Sequence, residues 1–278
     1  MNWIIVDDII KKALEEDCTF KDITTSSIVK YNSNCQVELI DKENGIIAGL
    51  EVFERVFNIL GGVNISFNKK DGDYVNVGEV IGTIKGNAHN ILVGERVALN
   101  FLQRMSGIAT TTYKAVNLIV GTKAKILDTR KTTPNLRILE KYAVTVGGGY
   151  NHRFNLSDGV LIKDNHIDAA GGITEAIKRV KNNIPFGRKI EVEAENLEQV
   201  KEALEAGADI IMLDNMNIDM MEKAVKLVDK RCATEASGNI SLDNINSIAN
   251  TGVDFISLGM LTHTIKSLDI SMKNLIWI

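Results

Sequence analysis

From about Ala88 onward, short β-branched runs alternate with amphipathic helical runs, and few architectures accept that pattern. The strand candidates are AKILDT, GVLIKD, KIEVEA, IIMLD, ATEAS and FISLG. Between them lie helix candidates such as LRILEKYAV, ITEAIKRVKN, NLEQVKEALEAG, DMMEKAVKLVDK and LDNINSIAN. In the third of these, Leu197, Val200, Ala203 and Leu204 recur at helical spacing. Mostly apolar strands joined by helices read as parallel strands buried on both faces. Such a run of units fits a β/α barrel better than a repeat solenoid. A long helical run, NILVGERVALNFLQRMSGIATTTYKAVNLI, opens this half, with Gly107 a candidate bend or break.

The part before it, Met1 to Gly86, has a different character. Helices are expected near Val6–Glu16 and Glu51–Leu60. The alternating segment CQVELIDKENGIIAGL and the run VNISFNKKDGDYVNVGEVIGTIKG, broken at Asp71-Gly72 and Gly78, predict hairpins. The fold class is therefore α/β, with an α+β domain before the barrel. The boundaries are placed at residues 1–107 for the first domain and 108–265 for the barrel. Residues 266–278, containing LDISMKNLIWI, are expected to return to the first domain as a strand.

Composition matters mainly by exclusion. A net charge of −4 leaves nothing to draw the whole molecule to nucleic acid or membrane. Cys18, Cys35 and Cys232 form no CxxC pair, which argues against a disulfide framework or structural zinc and for a reduced cytoplasm. The N-terminal run has early acids and no continuous apolar stretch, unlike a secretory signal. No apolar stretch has the roughly 20 residues needed to span a bilayer.

In a β/α barrel the carboxyl ends of the strands carry the active site. Here AKILDT ends at Thr129, Arg130 and Lys131; VGGGYNHR brings His152 and Arg153; GVLIKD brings Lys163. KIEVEA carries Glu191, Glu193 and Glu195, IIMLD ends at Asp214, and ATEAS carries Glu235 before Ser237-Gly238-Asn239. FISLG runs through Leu258 and Gly259 to Met260, with His263 beyond. Cations first, then acids, then small-residue turns would give a positive pocket in a net-negative chain, which calls for a polyanionic ligand. The Ser237-Gly238-Asn239 and Gly259 turns, read as opening helices, could offer backbone N–H groups to a phosphate. Glu193 and Asp214 suit a hydrated Mg²⁺ or a developing positive charge.

Each element has a plain reading by itself. A lone Arg-Lys pair is usually a solvated face, a lone histidine usually structural, and His89 and His166 keep that reading. Gly147–Gly149 matches no dinucleotide fingerprint, which requires strand–GxGxxG–helix. The joint placement at nearly every strand end is what points to chemistry.

The stretch TRKTTPNLRILEKYAVTVGGGYNHRFNLSDGVLIKDNH resembles the central signature of the quinolinate phosphoribosyltransferases. So do ERVALNFLQRMSGIAT before it, and IEVEAENLEQVKEALEAGADIIMLDN, EASGNI and ISLGMLTH after it. The resemblance implies an N-terminal α/β sandwich and an open, incomplete β/α barrel. It implies transfer of phosphoribosyl from phosphoribosyl pyrophosphate to quinolinate with decarboxylation, in NAD biosynthesis. It also implies Mg²⁺ as the cofactor and a homodimer, or a larger assembly of dimers, with shared sites. Carried over by motif, Arg96 is the arginine that reaches the partner's site. Thr129, Arg130, His152, Arg153 and Lys163 are the quinolinate set, and Lys131 lies between quinolinate and pyrophosphate. Glu193 and Asp214 lie near ribose and Mg²⁺. Lys131, Lys163, Glu193 and Asp214 are the candidate catalytic groups. Ser237, Gly238, Asn239, Leu258, Gly259, Met260 and His263 form the 5′-phosphate cradle. One departure is Asn239 where many relatives have glycine; asparagine tolerates the left-handed backbone, so the turn is expected to survive.

Three other readings stay open at this level. One is a relative with the same fold acting on another acid, as in molybdenum-transport-associated proteins. Another is a barrel that only binds a phosphorylated metabolite. The third is an aldolase or isomerase using Lys163, whose pKa a cationic neighbourhood would depress.

Overall fold

A computed structural model of the chain describes residues 1–30 and 32–278. The chain begins with α1 (Trp3–Asp17), α2 (Ile23–Ile28), β1 (Asn34–Asp41), β2 (Gly45–Ile46), α3 (Leu50–Leu60), β3 (Val63–Phe67), β4 (Tyr74–Val75), β5 (Val80–Asn87) and α4 (Ala88–Leu118). The alternating half follows as β6 (Lys125–Leu127), α5 (Arg137–Val146), β7 (Val160–Ile162), α6 (Asp164–Ala170), α7 (Ile173–Asn183), β8 (Ile190–Ala194) and α8 (Leu197–Glu205). It ends with β9 (Ile210–Asp214), α9 (Ile218–Val228), β10 (Ala233–Ser237), α10 (Ile245–Asn250), β11 (Phe255–Ser257), α11 (Met260–His263) and β12 (Ile270–Trp277).

Two compact units result. The first comprises residues 1–113, 132–148 and 261–278, the second 114–131 and 149–260.

In the first unit a four-stranded sheet runs β12-β1-β5-β3, antiparallel at each pairing. Along β1 the side chains of Cys35, Val37, Leu39 and Asp41 turn inward at every second position, as the strand pleat requires. Asp41 is therefore buried by register, and neither of its carboxylate oxygens has a hydrogen-bond partner. Burial, then the charge of Glu79, push its carboxyl up to about 7. The C-terminal run forms β12, paired with β1 from Cys35↔Trp277 to Asp41↔Ile270. Helix α3 buries Leu50, Val52, Phe53, Val56 and Phe57 on one face. Its first amides, on Gly49 and Leu50, are satisfied by the Asp71 carboxylate at 2.8 and 3.0 Å.

Two features of this unit differ from the sequence expectations. Gly107 does not break α4, which continues to Leu118. A Cβ there would lie 2.2 Å from the Lys266 carbonyl oxygen, so the glycine serves a close backbone approach. The compact units exchange at Tyr113 and Lys114. Helix α5, expected to lie on the barrel, groups with the first unit instead. Two polar links account for this. Arg104 on α4 pairs with Glu140 on α5 at 2.6 Å, with the Glu140 side chain wholly buried, and Tyr142 donates to Asp71 at 2.8 Å.

The second unit contains a six-stranded sheet in the order β6-β11-β10-β9-β8-β7, parallel throughout. Consecutive strands β7 to β11 are neighbours, and β6 pairs with the far end at β11. The strands β6 and β7 remain as edges, so the barrel is open. All six strand candidates of the sequence are present. What periodicity did not reveal is α6, seven residues directly after β7, whose N-cap Lys163 donates its backbone N–H to His166 Nδ1 at 3.0 Å.

Candidate active site

At the carboxyl ends of these parallel strands is a pocket of about 670 Å³. Thr129, Arg130, Lys131, His152, Arg153, Lys163, Glu193, Asp214, Ser237, Gly238 and Asn239 line it. Leu161, Met212, Asn215, Glu235 and Ser257 complete the lining. The arrangement follows from topology: each strand stops at the same level, and the residue at or just past its end faces the common mouth.

Most of the charges are placed by specific contacts. Asp128, wholly buried, accepts the His152 backbone N–H at 2.8 Å and so anchors the loop carrying His152 and Arg153. Arg153 donates through Nη1 to the Gly159 carbonyl at 2.9 Å. Burial pulls the Arg153 pKa down from its ordinary value, the charge of Arg130 adds to this, and Glu191 opposes it. Lys163 Nζ stands 3.4 Å from Glu193 Oε2. Burial pushes the Glu193 carboxyl above the usual range, Lys163 pulls it down, and Asp214 pushes it up again.

The turn after β10 is built around Asn215, which sequence reading passed over. Asn215 donates its Nδ2 to Asp214 Oδ2 at 2.7 Å and accepts Asn239 Nδ2 on its Oδ1 at 3.0 Å. Its backbone N–H donates to the Ser237 carbonyl at 2.9 Å. Gly238 has φ +90°, and a Cβ there would lie 2.2 Å from Asn215 Oδ1. Asn239 has φ +50°, in the left-handed region where asparagine is tolerated. The turn does not open a helix directly, since α10 starts only at Ile245.

His152 is held on both sides of its ring. Its Nδ1 accepts the Arg153 backbone N–H at 2.8 Å, and its Nε2 lies 3.0 Å from Glu191 and 3.6 Å from Glu235. Burial, then the charge of Glu191, push the Glu235 carboxyl up to about 8 against the pull of His152. Glu191, Glu235 and Asp128 each stand in or next to a strand run, but no local pattern separates a buried acid from a solvated one.

The remaining candidates are not among the residues that line the pocket. Leu258 is buried and donates its N–H to the Leu127 carbonyl at 2.9 Å. Gly259 and Met260 follow β11 in the same unit, while the exposed Arg96 and His263 belong to the first unit. His89 and His166 have local partners, Ser26 Oγ at 3.1 Å and the Lys163 backbone N–H at 3.0 Å.

The mouth can bind a ligand of several negative charges through its cations, and it offers two acids for a cation or cationic sugar. Comparison with known proteins bears on which ligand this is. The family model described as quinolinate phosphoribosyl transferase, C-terminal domain, matches residues 108–273, and that of the N-terminal domain matches 22–106. The chain is 48% identical over 273 residues to the probable nicotinate-nucleotide pyrophosphorylase [carboxylating] of Bacillus subtilis, covering 98% of this chain and 94% of that one. It is 44% identical to the chloroplastic Arabidopsis thaliana nicotinate-nucleotide pyrophosphorylase [carboxylating], covering 95% and 81% respectively. The crystal structure of NadC from Streptococcus pyogenes superposes with a TM-score of 0.97 at 46% identity, covering 100% of this chain and 99% of that one.

Proposed function

The chain belongs to the quinolinate phosphoribosyltransferase family, and from that premise we propose how its pocket works. The protein is a decarboxylating transferase. It joins the phosphoribosyl group of phosphoribosyl pyrophosphate to quinolinate and releases pyrophosphate, CO₂ and nicotinate mononucleotide. The observation that carries this reading is the gathering of Arg130, Lys131, Arg153 and Lys163 with Glu193 and Asp214 in one pocket at the strand ends. That charge pattern matches a dicarboxylate and a pyrophosphate brought together over a ribose.

Arg130 and Arg153 bind the planar carboxylates of quinolinate, for which the guanidinium fork is suited. Lys163 holds the acid from the end of β7, and Lys131 bridges toward the pyrophosphate. The ring nitrogen attacks the anomeric carbon as the bond to pyrophosphate breaks, so the sugar passes through an oxocarbenium-like state. Glu193 and Asp214 stabilise that cation and the ribose hydroxyls. Glycosylation makes the ring nitrogen cationic; the bond to the adjacent carboxylate then breaks, its electrons return to the ring, and a proton takes its place. The turn at Ser237, Gly238 and Asn239, with Gly259 and Met260, receives the 5′-phosphate. Positioning and electrostatics do the work, with no covalent enzyme intermediate.

Two acids in a partly desolvated pocket, only one of them against a lysine, fit a hard divalent cation. Glu193 and Asp214 would hold Mg²⁺ directly or through water. When bound, the ion offsets the charge of the pyrophosphate. We further propose that the protein acts in the cytoplasm as a homodimer in which Arg96 of one chain serves the pocket of the other. The three free cysteines agree with a reducing compartment, and Arg96 is exposed.

The test is to incubate the purified protein with phosphoribosyl pyrophosphate, Mg²⁺ and either quinolinate or nicotinate, following the mononucleotide and CO₂. Product from quinolinate alone is expected. Product from nicotinate alone, or from neither, would refute the assignment.

A further inference from the structure

At the wall of the pocket, with His152 and Glu235 in its lining, is a cluster to which the reaction, as described, gives no task. Glu191 on β8 and Glu235 on β10 are 4% and 1% exposed, and Oε1 of each is buried without a hydrogen-bond partner. Two acids at that depth are costly unless the site uses them. Their other oxygens face one group, the Nε2 of His152 at 3.0 and 3.6 Å. On the opposite side of the ring, Nδ1 accepts the Arg153 N–H at 2.8 Å. A ring nitrogen that accepts an N–H carries no proton, so the proton of the imidazole is on Nε2, between the two carboxyls. The charge of Glu191 also supports the Arg153 guanidinium against the repulsion of Arg130.

The same three side chains could be read as metal ligands, since their donor atoms lie within 4.8 Å of one another. The ring speaks against it. A metal-bound imidazole ordinarily donates from its second nitrogen, whereas Nδ1 here accepts.

We propose that Glu191 and Glu235 are positioning residues that act through His152. Glu191 accepts the His152 Nε2–H at 3.0 Å while Glu235 flanks the same nitrogen at 3.6 Å, the ring sets the backbone at Arg153, and the Arg153 guanidinium is thereby presented to a substrate carboxylate. His152 then serves the acid substrate through Arg153 and not through a ring nitrogen of its own. The proposal rests on the quinolinate reading of the pocket.

The test uses Glu191→Gln and Glu235→Gln, each alone and combined with Arg153→Ala. Glu191→Gln should raise KM for quinolinate about ten- to hundred-fold, the range for one hydrogen bond to a charged group, and Glu235→Gln should raise it less, with KM for phosphoribosyl pyrophosphate unchanged in both. In the Arg153→Ala background the further loss should vanish, because the residues act in series. Effects that multiply fully, or a parallel rise in both KM values, would overturn the proposal. Should the variants fail to fold, the wild-type protein labelled with ¹⁵N-histidine gives the answer by NMR, with the His152 signals identified by their loss in His152→Asn. A neutral ring protonated at Nε2, unchanged by quinolinate, is expected. A proton on Nδ1, a ring perturbed by quinolinate at Nδ1, or a metal ion retained through chelation would overturn it. An Nε2–H ring in a protein that does not turn over quinolinate would count against the substrate assignment and not against the clamp.

Discussion

Replacing Gly238 by alanine places a methyl group 2.2 Å from Asn215 Oδ1, 2.6 Å from its Cγ and 2.9 Å from its backbone nitrogen. The backbone nitrogen cannot retreat cheaply, because its N–H is bonded to the Ser237 carbonyl. The amide can swing away only by giving up its bonds to Asp214 and Asn239. A positive φ costs an L residue about 1–2 kcal/mol, and a methyl forced into a packed contact about 1–3 kcal/mol. The expected loss is therefore about 2–5 kcal/mol, a fall in melting temperature on the order of 10 °C. Release of Asp214 should also lower kcat/KM for phosphoribosyl pyrophosphate about ten- to hundred-fold. Melting curves and initial rates at saturating quinolinate measure the two effects. Combining Gly238→Ala with Asn215→Gly removes the amide clash and should recover part of the melting loss but none of the activity. Wild-type melting and kinetics in Gly238→Ala would refute this account of the turn.

Lys163→Ala should lower kcat/KM about a hundred-fold or more, with melting unchanged, since the lysine side chain is 46% exposed; near-normal kinetics would remove Lys163 from the site. Mixed with Arg96→Ala, itself expected to be inactive, it should regain activity if sites are shared between chains, and no recovery would argue against sharing. Asp41→Asn tests the buried acid of β1, whose folded pKa of about 7 lies above its ordinary 3.8. Between those values the unfolded chain has released a proton that the folded chain retains, so Asp41 erodes stability as pH rises through that window and the loss is complete above it. The variant should gain on the order of 2–4 kcal/mol at pH 8 and little at pH 4, read from denaturant melts; an equal change at both would refute the charge argument. Glu140→Ala leaves Arg104 without its buried partner and should cost about 3–5 kcal/mol, measured the same way.

The architecture of the second unit was legible because its signal is local. Apolar runs such as IIMLD, bounded by helices with clear 3.6-residue periodicity, admit little besides parallel strands, and strand ends then locate the mouth. The first unit was legible in its elements, including the C-terminal strand, but not in its grouping. Helix α5 follows β6 in the expected alternation, yet the Arg104–Glu140 pair draws it to the other unit, a link across 36 residues that no window of sequence contains.

The site divides along the same line. The sequence by itself determined which residue types stand at most strand ends: Lys163, Glu193 and Asp214 lie in or next to a recognisable apolar run, Arg130 and Lys131 just beyond one, and Arg153 in the loop that follows Gly147–Gly149. Tertiary structure decided what those residues face. Glu191 and Glu193 are two positions apart on one strand, yet one is buried against His152 and the other looks into the pocket beside Lys163. His152 lines the pocket, and Asp128, Glu191 and Glu235 reach it from three different strand segments. Burial and hydrogen-bond partners depend on residues far apart in the chain, and they fix whether a charged side chain meets solvent, substrate or another side chain.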